Sequence, residues 1–159
     1  MTRFFAIATL ALITTGCAFH KTPFIAYADK NHPLSDTSVF STAPQGLPNP
    51  PRTAIAITGI DGVSRSCFFS EAGCPVWVRV LPGDHTFTTD FIKVNVTGMR
   101  PRHVYVAHVK SVEGRVVAEV EDLGENPEYG FMLGAVGLNA EYCRVVFEDD
   151  KRGESCAPR

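Results

Sequence analysis

The sequence predicts an all-β fold, a small antiparallel β-sandwich. Short runs with a hydrophobic period of two recur at intervals of roughly 8–12 residues, separated by turn signals rich in Gly, Pro and Asp. No segment has a strong helical period and strands do not alternate with helices, which argues against a doubly wound nucleotide-binding fold. About seven short strands of this kind are typical of two packed antiparallel sheets.

Three short strands are predicted in the first half of the sandwich, at residues 37–41, 53–57 and 76–80. The second strand ends at the turn Gly59-Ile60-Asp61-Gly62. After the third, Leu81-Pro82-Gly83-Asp84 predicts a tight reversal, because Pro fixes φ and Gly supplies the positive φ of a type II turn.

The second half of the sandwich is predicted to consist mainly of hairpins, with strands at residues 85–91, 92–97, 104–109, 115–121 and 141–147. Glu113-Gly114 is the predicted turn of one hairpin. In the strand that follows it, alternation directs one set of residues inward and a charged set towards water. The inward set is Val116, Ala118 and Val120, and the charged set is Arg115, Glu119 and Glu121. Residues 131–140 fit either a strand or a short helix.

A leader precedes the predicted sandwich. Met1-Thr2-Arg3 is a short positive start, residues 4–13 are uncharged and apolar apart from Thr9, and Thr14-Thr15-Gly16 leads into Cys17. The apolar run is too short for a permanent membrane span, so residues 1–16 are predicted to be a secretory signal peptide. The small residues before Cys17 resemble the lipobox of bacterial lipoproteins, although Thr14 stands where that motif usually has Leu.

The lipobox resemblance implies that Cys17 becomes the new N-terminus and carries a thioether-linked diacylglycerol and an N-acyl chain such as palmitate. Several acyl chains anchor a protein far more strongly than one myristoyl group does. Ala18 rather than Asp follows the cysteine, which by the sorting rule of enteric bacteria implies the outer membrane. The alternative is an ordinary signal peptide cut near the same place, with Cys17 left as a thiol.

Residues 17–159 are long enough for one domain with a core. The polar, proline-containing composition of residues 17–36 predicts a flexible lipidated tether, although an apolar patch at residues 23–27 leaves docking on the domain open. Residues 37–159 form the predicted sandwich domain. Since Arg3 is the only charge of the leader, the rest carries 14 Lys and Arg against 17 Asp and Glu. There is no basic stripe, so nucleic acid is not a predicted partner.

Four cysteines besides Cys17 suit an oxidising compartment. Cys67, Cys74, Cys143 and Cys156 allow three disulfide connectivities. We expect Cys67–Cys74 and Cys143–Cys156, because each pair brackets a short polar segment that contains Gly. The spacings match neither a C-x-x-C redox motif nor a zinc knuckle, so the cysteines are predicted to be structural and no metal or cofactor is predicted.

Residues 53–122 resemble PEGA-type modules. Ile60-Asp61-Gly62 matches their "I-D-G" turn, and the run from Val78 through Pro82-Gly83 to His85 is similar to their "V-x-L-x-P-G-x-H" reversal. The strand around Tyr105 is similar to the "G-x-x-Y-x-V" strand of many small bacterial lipoproteins. The resemblance implies a transthyretin- or immunoglobulin-like β-sandwich on the cell envelope, and it brings no catalytic residues.

The sequence contains no strong catalytic constellation. His103 and His108 differ in parity along one strand, so they point to opposite faces and do not share a metal. Asp61, Asp84 and His85 form a weak metal candidate at one end of the sandwich, but a His85 that stabilises the turn is the favoured interpretation. The carboxylates of residues 119–125 are interpreted as a solvated strand face rather than as the acid and base of a glycosidase.

Trp77 and Arg79 are the candidate partner-binding residues. They lie opposite the valine face of their strand, so they project outward unless a second layer or the loop of residues 44–51 covers them. Exposed Trp–Arg pairs are favoured anchors at interfaces. The sequence therefore predicts a non-catalytic interaction or structural module, held on the periplasmic side of the outer membrane and bound to an envelope protein. The alternatives are a small-ligand- or glycan-binding lipoprotein and, after it, an envelope hydrolase.

Overall fold

The structure is a computed structural model that describes residues 23–45, 55–64, 75–133, 141–152 and 156–158. Within these ranges all regular structure is β-strand apart from two 3₁₀ turns, at Leu34–Asp36 and Asp149–Lys151. The strands are β1 Phe24–Ile25, β2 Ser38–Ser41, β3 Ile57–Ile60, β4 Val63–Ser64, β5 Trp77–Val80, β6 Gly83–Thr89, β7 Lys93–Met99, β8 His103–Val112, β9 Arg115–Glu125, β10 Gly130–Leu133, β11 Glu141–Arg144 and β12 Cys156–Pro158. The predicted all-β fold is confirmed.

Three sheets form the fold. A five-stranded sheet has the order β1-β5-β2-β8-β9, a four-stranded sheet the order β4-β3-β6-β7, and a three-stranded sheet the order β10-β11-β12. Seven of the nine pairings between described strands are antiparallel. The two parallel pairings, β1 with β5 and β2 with β8, both lie in the five-stranded sheet.

The five-stranded sheet is the middle layer, because each of its faces packs into a separate hydrophobic core. Val39, Trp77 and Val104 join a core with residues of β10 and β11. Their chain neighbours Phe40 and Val78 point the other way, into a core with residues of β3, β6 and β7. Strands that are covered on both faces are hydrophobic at successive positions and do not simply alternate. This is why β2 and β5 are buried at every residue.

The hairpins follow the predicted pattern. β8 and β9 pair in one regular register from Tyr105 opposite Asp122 to Val112 opposite Arg115, and the turn lies at Glu113-Gly114 as predicted. Ala118 and Val120 pack against the core, in agreement with the prediction, whereas Val116 near the tip is 39% exposed. The strand predicted at residues 85–91 ends at Thr89, and Phe91 is exposed in the following turn.

The structure differs in detail from two of the predicted turns. The chain stays extended through Gly59 and Ile60, so the turn between β3 and β4 consists of Asp61 and Gly62, both with positive φ. The Leu81-Pro82 reversal does not form a hairpin between β5 and β6. It carries the chain from the five-stranded sheet into the four-stranded one.

The prediction of a flexible tether is wrong for its described part, residues 23–36. β1 pairs in parallel with β5, and Phe24 and Ala26 pack against a core. Leu34 is buried, and its backbone N–H donates to Asp149 Oδ1 at 3.1 Å. The apolar patch supplies enough burial to order the segment. The described residues contain no helix long and apolar enough to cross a membrane.

Trp77 is the only tryptophan of the chain, which makes its burial directly measurable. We expect the folded protein to show blue-shifted tryptophan emission and weak quenching by acrylamide, because the indole has no exposed surface. Unfolding in urea will shift the emission to longer wavelength and restore quenching. Emission in the folded state like that of tryptophan in water would contradict the three-layer packing.

Candidate functional site

Trp77 and Arg79 lie inside the protein, so the prediction that they form a partner-binding surface is wrong. Trp77 is fully buried and packs edge-on against Phe131 of β10, with 4.7 Å between the ring centroids. Arg79 is 3% exposed. The layer that contains β10 and β11 covers the face of β5 that the sequence pattern left open. Of the two covers that the sequence allowed, the second layer is present in the structure, and most of the loop of residues 44–51 lies outside the described residues.

Arg79 has a structural role in this buried position. Its Nη1 donates to Thr37 Oγ1 at 2.8 Å and its Nη2 donates to the Val146 carbonyl at 2.7 Å, while its guanidinium lies 5.2 Å from the centre of the Phe147 ring. Burial lowers the pKa of Arg79 to about 10, which leaves it charged at neutral pH. Arg79 therefore ties β5 to the segment before β2 and to the segment after β11.

The turns that carry the PEGA-like resemblance meet each other. His85 Nδ1 lies 2.8 Å from Asp61 Oδ2, and its Nε2 lies 2.8 Å from the Leu81 carbonyl oxygen. The backbone N–H of Thr86 donates to Asp61 Oδ1 at 2.9 Å. Burial raises the pKa of Asp61, but the Thr86 N–H and the His85 ring lower it further than burial raises it, so the net shift is downward. Both ring nitrogens of His85 thus serve to hold the two turns together.

Asp84 does not join His85 and Asp61. Its Oδ1 instead accepts a hydrogen bond from the Gly98 N–H of β7 at 2.7 Å. The weak metal candidate is therefore not assembled as a three-residue cluster. More generally, the residues that the structure describes include no group of three or more His, Cys, Asp or Glu side chains able to hold a metal ion.

A second histidine–carboxylate pair fixes the base of the β8–β9 hairpin. His103 Nδ1 lies 2.8 Å from Asp122 Oδ1, and Arg100 Nη2 donates to Asp122 Oδ2 at 2.8 Å. The Gly124 N–H also donates to Asp122 Oδ1, at 2.9 Å. Desolvation raises the pKa of Asp122, but the His103 and Arg100 hydrogen bonds outweigh it and hold the pKa at about 2.

Glu119 and Glu121 of β9 each face a different basic side chain. Lys110 Nζ lies 3.0 Å from Glu119, and His108 Nε2 lies 2.9 Å from Glu121. His103 contacts Asp122 and His108 contacts Glu121, so the two histidines face different carboxylates. The hydrogen bond from Lys110 lowers the pKa of Glu119. These contacts are cross-strand polar pairs on a solvated face, which is the interpretation that the sequence favoured.

The outer edge of β9 is a second candidate binding feature of the described fold, beside the cavity at β11. β9 ends the five-stranded sheet, and no described strand pairs with it on the side away from β8. The hairpin tip is exposed from Lys110 to Val116. Alternate backbone N–H and C=O groups of an edge strand point away from the sheet, where another extended strand can pair with them. The sequence pattern did not lead to a prediction of this site. The available signal was the long alternating run of residues 115–121.

A cavity of about 300 Å³ lies between the β9–β10 connection, β11 and the segment that follows it. Aromatic and charged side chains share its lining, among them Tyr129, Tyr142, Phe147, Glu128, Arg144 and Lys151. The buried Tyr129 hydroxyl lies 2.5 Å from the Ala43 carbonyl oxygen, and burial raises its pKa. Its hydroxyl is therefore part of the framework of the fold.

Two of the five cysteines lie in the part of the chain that the structure describes. Cys143 on β11 is buried and disulfide-bonded, and Cys156 on β12 lies directly opposite it. Cys17, Cys67 and Cys74 lie outside the described residues.

No family model, curated protein or solved structure matches this chain, so comparison with known proteins assigns no function to its residues.

The lowered pKa of Asp122 predicts an acid-dependent loss of stability. A carboxyl whose pKa is lower in the folded state stabilises that state above its unfolded pKa, here 3.8, and this stabilisation is lost as the pH falls to about 2. Asp122→Asn will therefore reduce the slope of unfolding free energy against pH between these values. The measurement is urea unfolding at a series of pH values. Asp90→Asn, in the exposed turn after β6, is the control and should keep the wild-type slope.

Proposed function

We propose that this chain is a lipoprotein of the bacterial cell envelope whose folded part is a non-catalytic interaction module. Acyl chains on Cys17 hold it on the periplasmic side of the outer membrane. The observation that carries the interaction role is the outer edge of β9, which no described strand covers. The partner pairs with that edge, which replaces Trp77 and Arg79 as the contact surface.

Several titratable side chains are already held in hydrogen bonds within the fold, which supports a non-catalytic role. A general acid or base must be able to reach a substrate, and a nucleophile needs a base beside it. Both ring nitrogens of His85 are occupied by Asp61 and a backbone carbonyl. Asp122 accepts hydrogen bonds from three different groups. These contacts use the reactive groups to hold turns and strands in place.

The position of β1 supports close attachment to the membrane. β1 begins at Phe24, only seven residues after Cys17. A chain spans at most about 3.3–3.6 Å per residue, so seven residues reach roughly 25 Å. If Cys17 carries the lipid, the folded domain is held close to the membrane surface. The proposed tether is therefore shorter than the tether of residues 17–36 that the sequence predicts.

Metabolic labelling tests the anchor. In a Gram-negative host given a clickable fatty-acid analogue, the wild-type chain should become labelled and fractionate with the outer membrane. Cys17→Ser should lose the label, because the thioether cannot form. Cys67→Ser is the matched control and should keep it. An unlabelled wild-type chain, or a label that survives Cys17→Ser, would refute the lipoprotein assignment.

The same proposal assigns Cys156 as the disulfide partner of Cys143. Directly opposed residues of antiparallel strands have Cα atoms about 4.5–5.5 Å apart, which is within the range that a disulfide spans. The register of β11 and β12 places the two cysteines opposite each other. Cys67 and Cys74 then form the second bridge.

Peptide mapping without reductant tests this pairing. Trypsin will release the Cys143 and Cys156 peptides as one linked species that separates on reduction, since Arg144, Lys151 and Arg152 lie between them. We expect Cys156→Ser to lower the free energy of unfolding by about 3 kcal/mol, as for a closed loop of this length. Cys143 linked to Cys67 or to Cys74 would contradict the assignment.

Ligand binding is the second candidate function, and the cavity beside β11 favours it. Its aromatic residues Tyr142 and Phe147 and its charged residues suit a glycan, which presents both apolar ring faces and hydroxyl groups. A glycan that copurifies with the wild type and is lost in Arg144→Ala would favour this candidate.

A further inference from the structure

We infer that the partner of the β9 edge is a second copy of this chain, so that two five-stranded sheets join into one through antiparallel β9–β9 pairing. This inference rests on the proposed interaction function and names its partner. It is carried by the edge position of β9, by the arrangement of charge along residues 115–121, and by the exposed apolar surface at the hairpin tip.

Between Arg115 and Asp122, β9 lacks the features that protect other edges of the fold, since its own register shift and Gly124 lie beyond Asp122. Edge strands usually avoid pairing by being short or by carrying Lys, Pro or a bulge. β1 has only two residues. β7 is longer, but it carries Lys93 and Gly98, and its pairing with β6 has a register shift. β9 is regular from Arg115 to Asp122 and has neither Lys nor Pro.

The charges of β9 are self-complementary about Ala118. A two-fold axis at this residue places Arg115 of one copy opposite Glu121 of the other, and the same pair forms twice. The Arg115 side chain has no hydrogen-bond or ion-pair partner among the described residues, and Glu121 is 57% exposed beside His108. Opposite charges that face each other across antiparallel strands stabilise the pairing.

The apolar residues are complementary in the same register. Val116 of one copy comes opposite Val120 of the other, and Ala118 faces its own symmetry mate. Val116 is 39% exposed in the single chain, so the pairing removes apolar surface from water. An axis at Val120 would instead place Glu119 opposite Glu121, which brings like charges together. An axis at Val117 would pair Arg115 with Glu119 but would place Glu113 opposite Glu121. The charges of β9 thus favour the axis at Ala118 over these two neighbours.

Cysteine crosslinking tests the register directly. Ala118→Cys places two sulfur atoms across the two-fold axis, with Cα atoms about 4.5–5.5 Å apart, so an oxidant will form a covalent dimer. Val116→Cys is the matched control, because it lies on the same face of the same strand but opposite Val120 rather than itself. We expect a dimer band on non-reducing gels for Ala118→Cys, and no more dimer for Val116→Cys than for the wild type.

A charge exchange provides the second test. In the Ala118→Cys background, Arg115→Glu should reduce dimer yield about tenfold, because two attractive pairs become repulsive. Adding Glu121→Arg should restore the yield by reversing both charges. Restoration cannot be explained by misfolding of the single variant.

The full-length chain is used throughout, with the oxidant added after lysis so that crosslinking does not depend on the cellular compartment. Equal dimer yields for Ala118→Cys and Val116→Cys would overturn the inference, as would a covalent product of Ala118→Cys with a different protein. Acyl labelling is scored separately on Cys17. Labelling without a dimer refutes self-pairing alone, and a dimer without labelling refutes the membrane anchor alone.

Discussion

Burial of the five-stranded sheet on both faces is the constraint on which the rest of the structure depends. A polar side chain on β2 or β5 has no solvent-facing side, so it must find a hydrogen-bond partner inside the protein. Ser38 donates to the Arg100 carbonyl and Ser41 donates to the Val76 carbonyl. Arg79 reaches Thr37 and the Val146 carbonyl. The polar residues of the middle sheet therefore fix the backbone of the segments around it.

Sequence alternation predicted the outer parts of the fold better than its centre. The β8–β9 hairpin was recognisable because its distal half has one exposed charged face, so a period of two is visible in the sequence. The same reasoning failed for β5, since the pattern does not distinguish a strand covered on one face from one covered on both. β1 was missed because two residues carry no period, and their pairing with β5 depends on residues more than fifty positions away.

The site could be predicted only where the chemistry is local. The proximity of His85 to the Leu81-Pro82 turn was recognisable because the residues are close in sequence, and Asp61 joins them through a turn that was predicted nearby. Asp84 adjoins His85 in the sequence but accepts a hydrogen bond from Gly98, because the β6–β7 register brings Gly98 close to it. The position of β9 at the edge of the described sheet follows from the order of the strands. That order is a property of the whole fold and cannot be derived from the sequence of one strand.

The proposed anchor and the proposed edge pairing place compatible demands on the orientation of the protein. Antiparallel pairing of two β9 strands has its two-fold axis perpendicular to the sheet, and two copies in one leaflet can share only an axis along the membrane normal. The joined sheet must then lie roughly parallel to the membrane. β1, where the anchored segment enters, is the opposite edge from β9, four strand spacings or about 19 Å away. In the proposed dimer, the segments that lead from Cys17 therefore enter the joined sheet at its two outer edges, and the β9 edges are left for pairing.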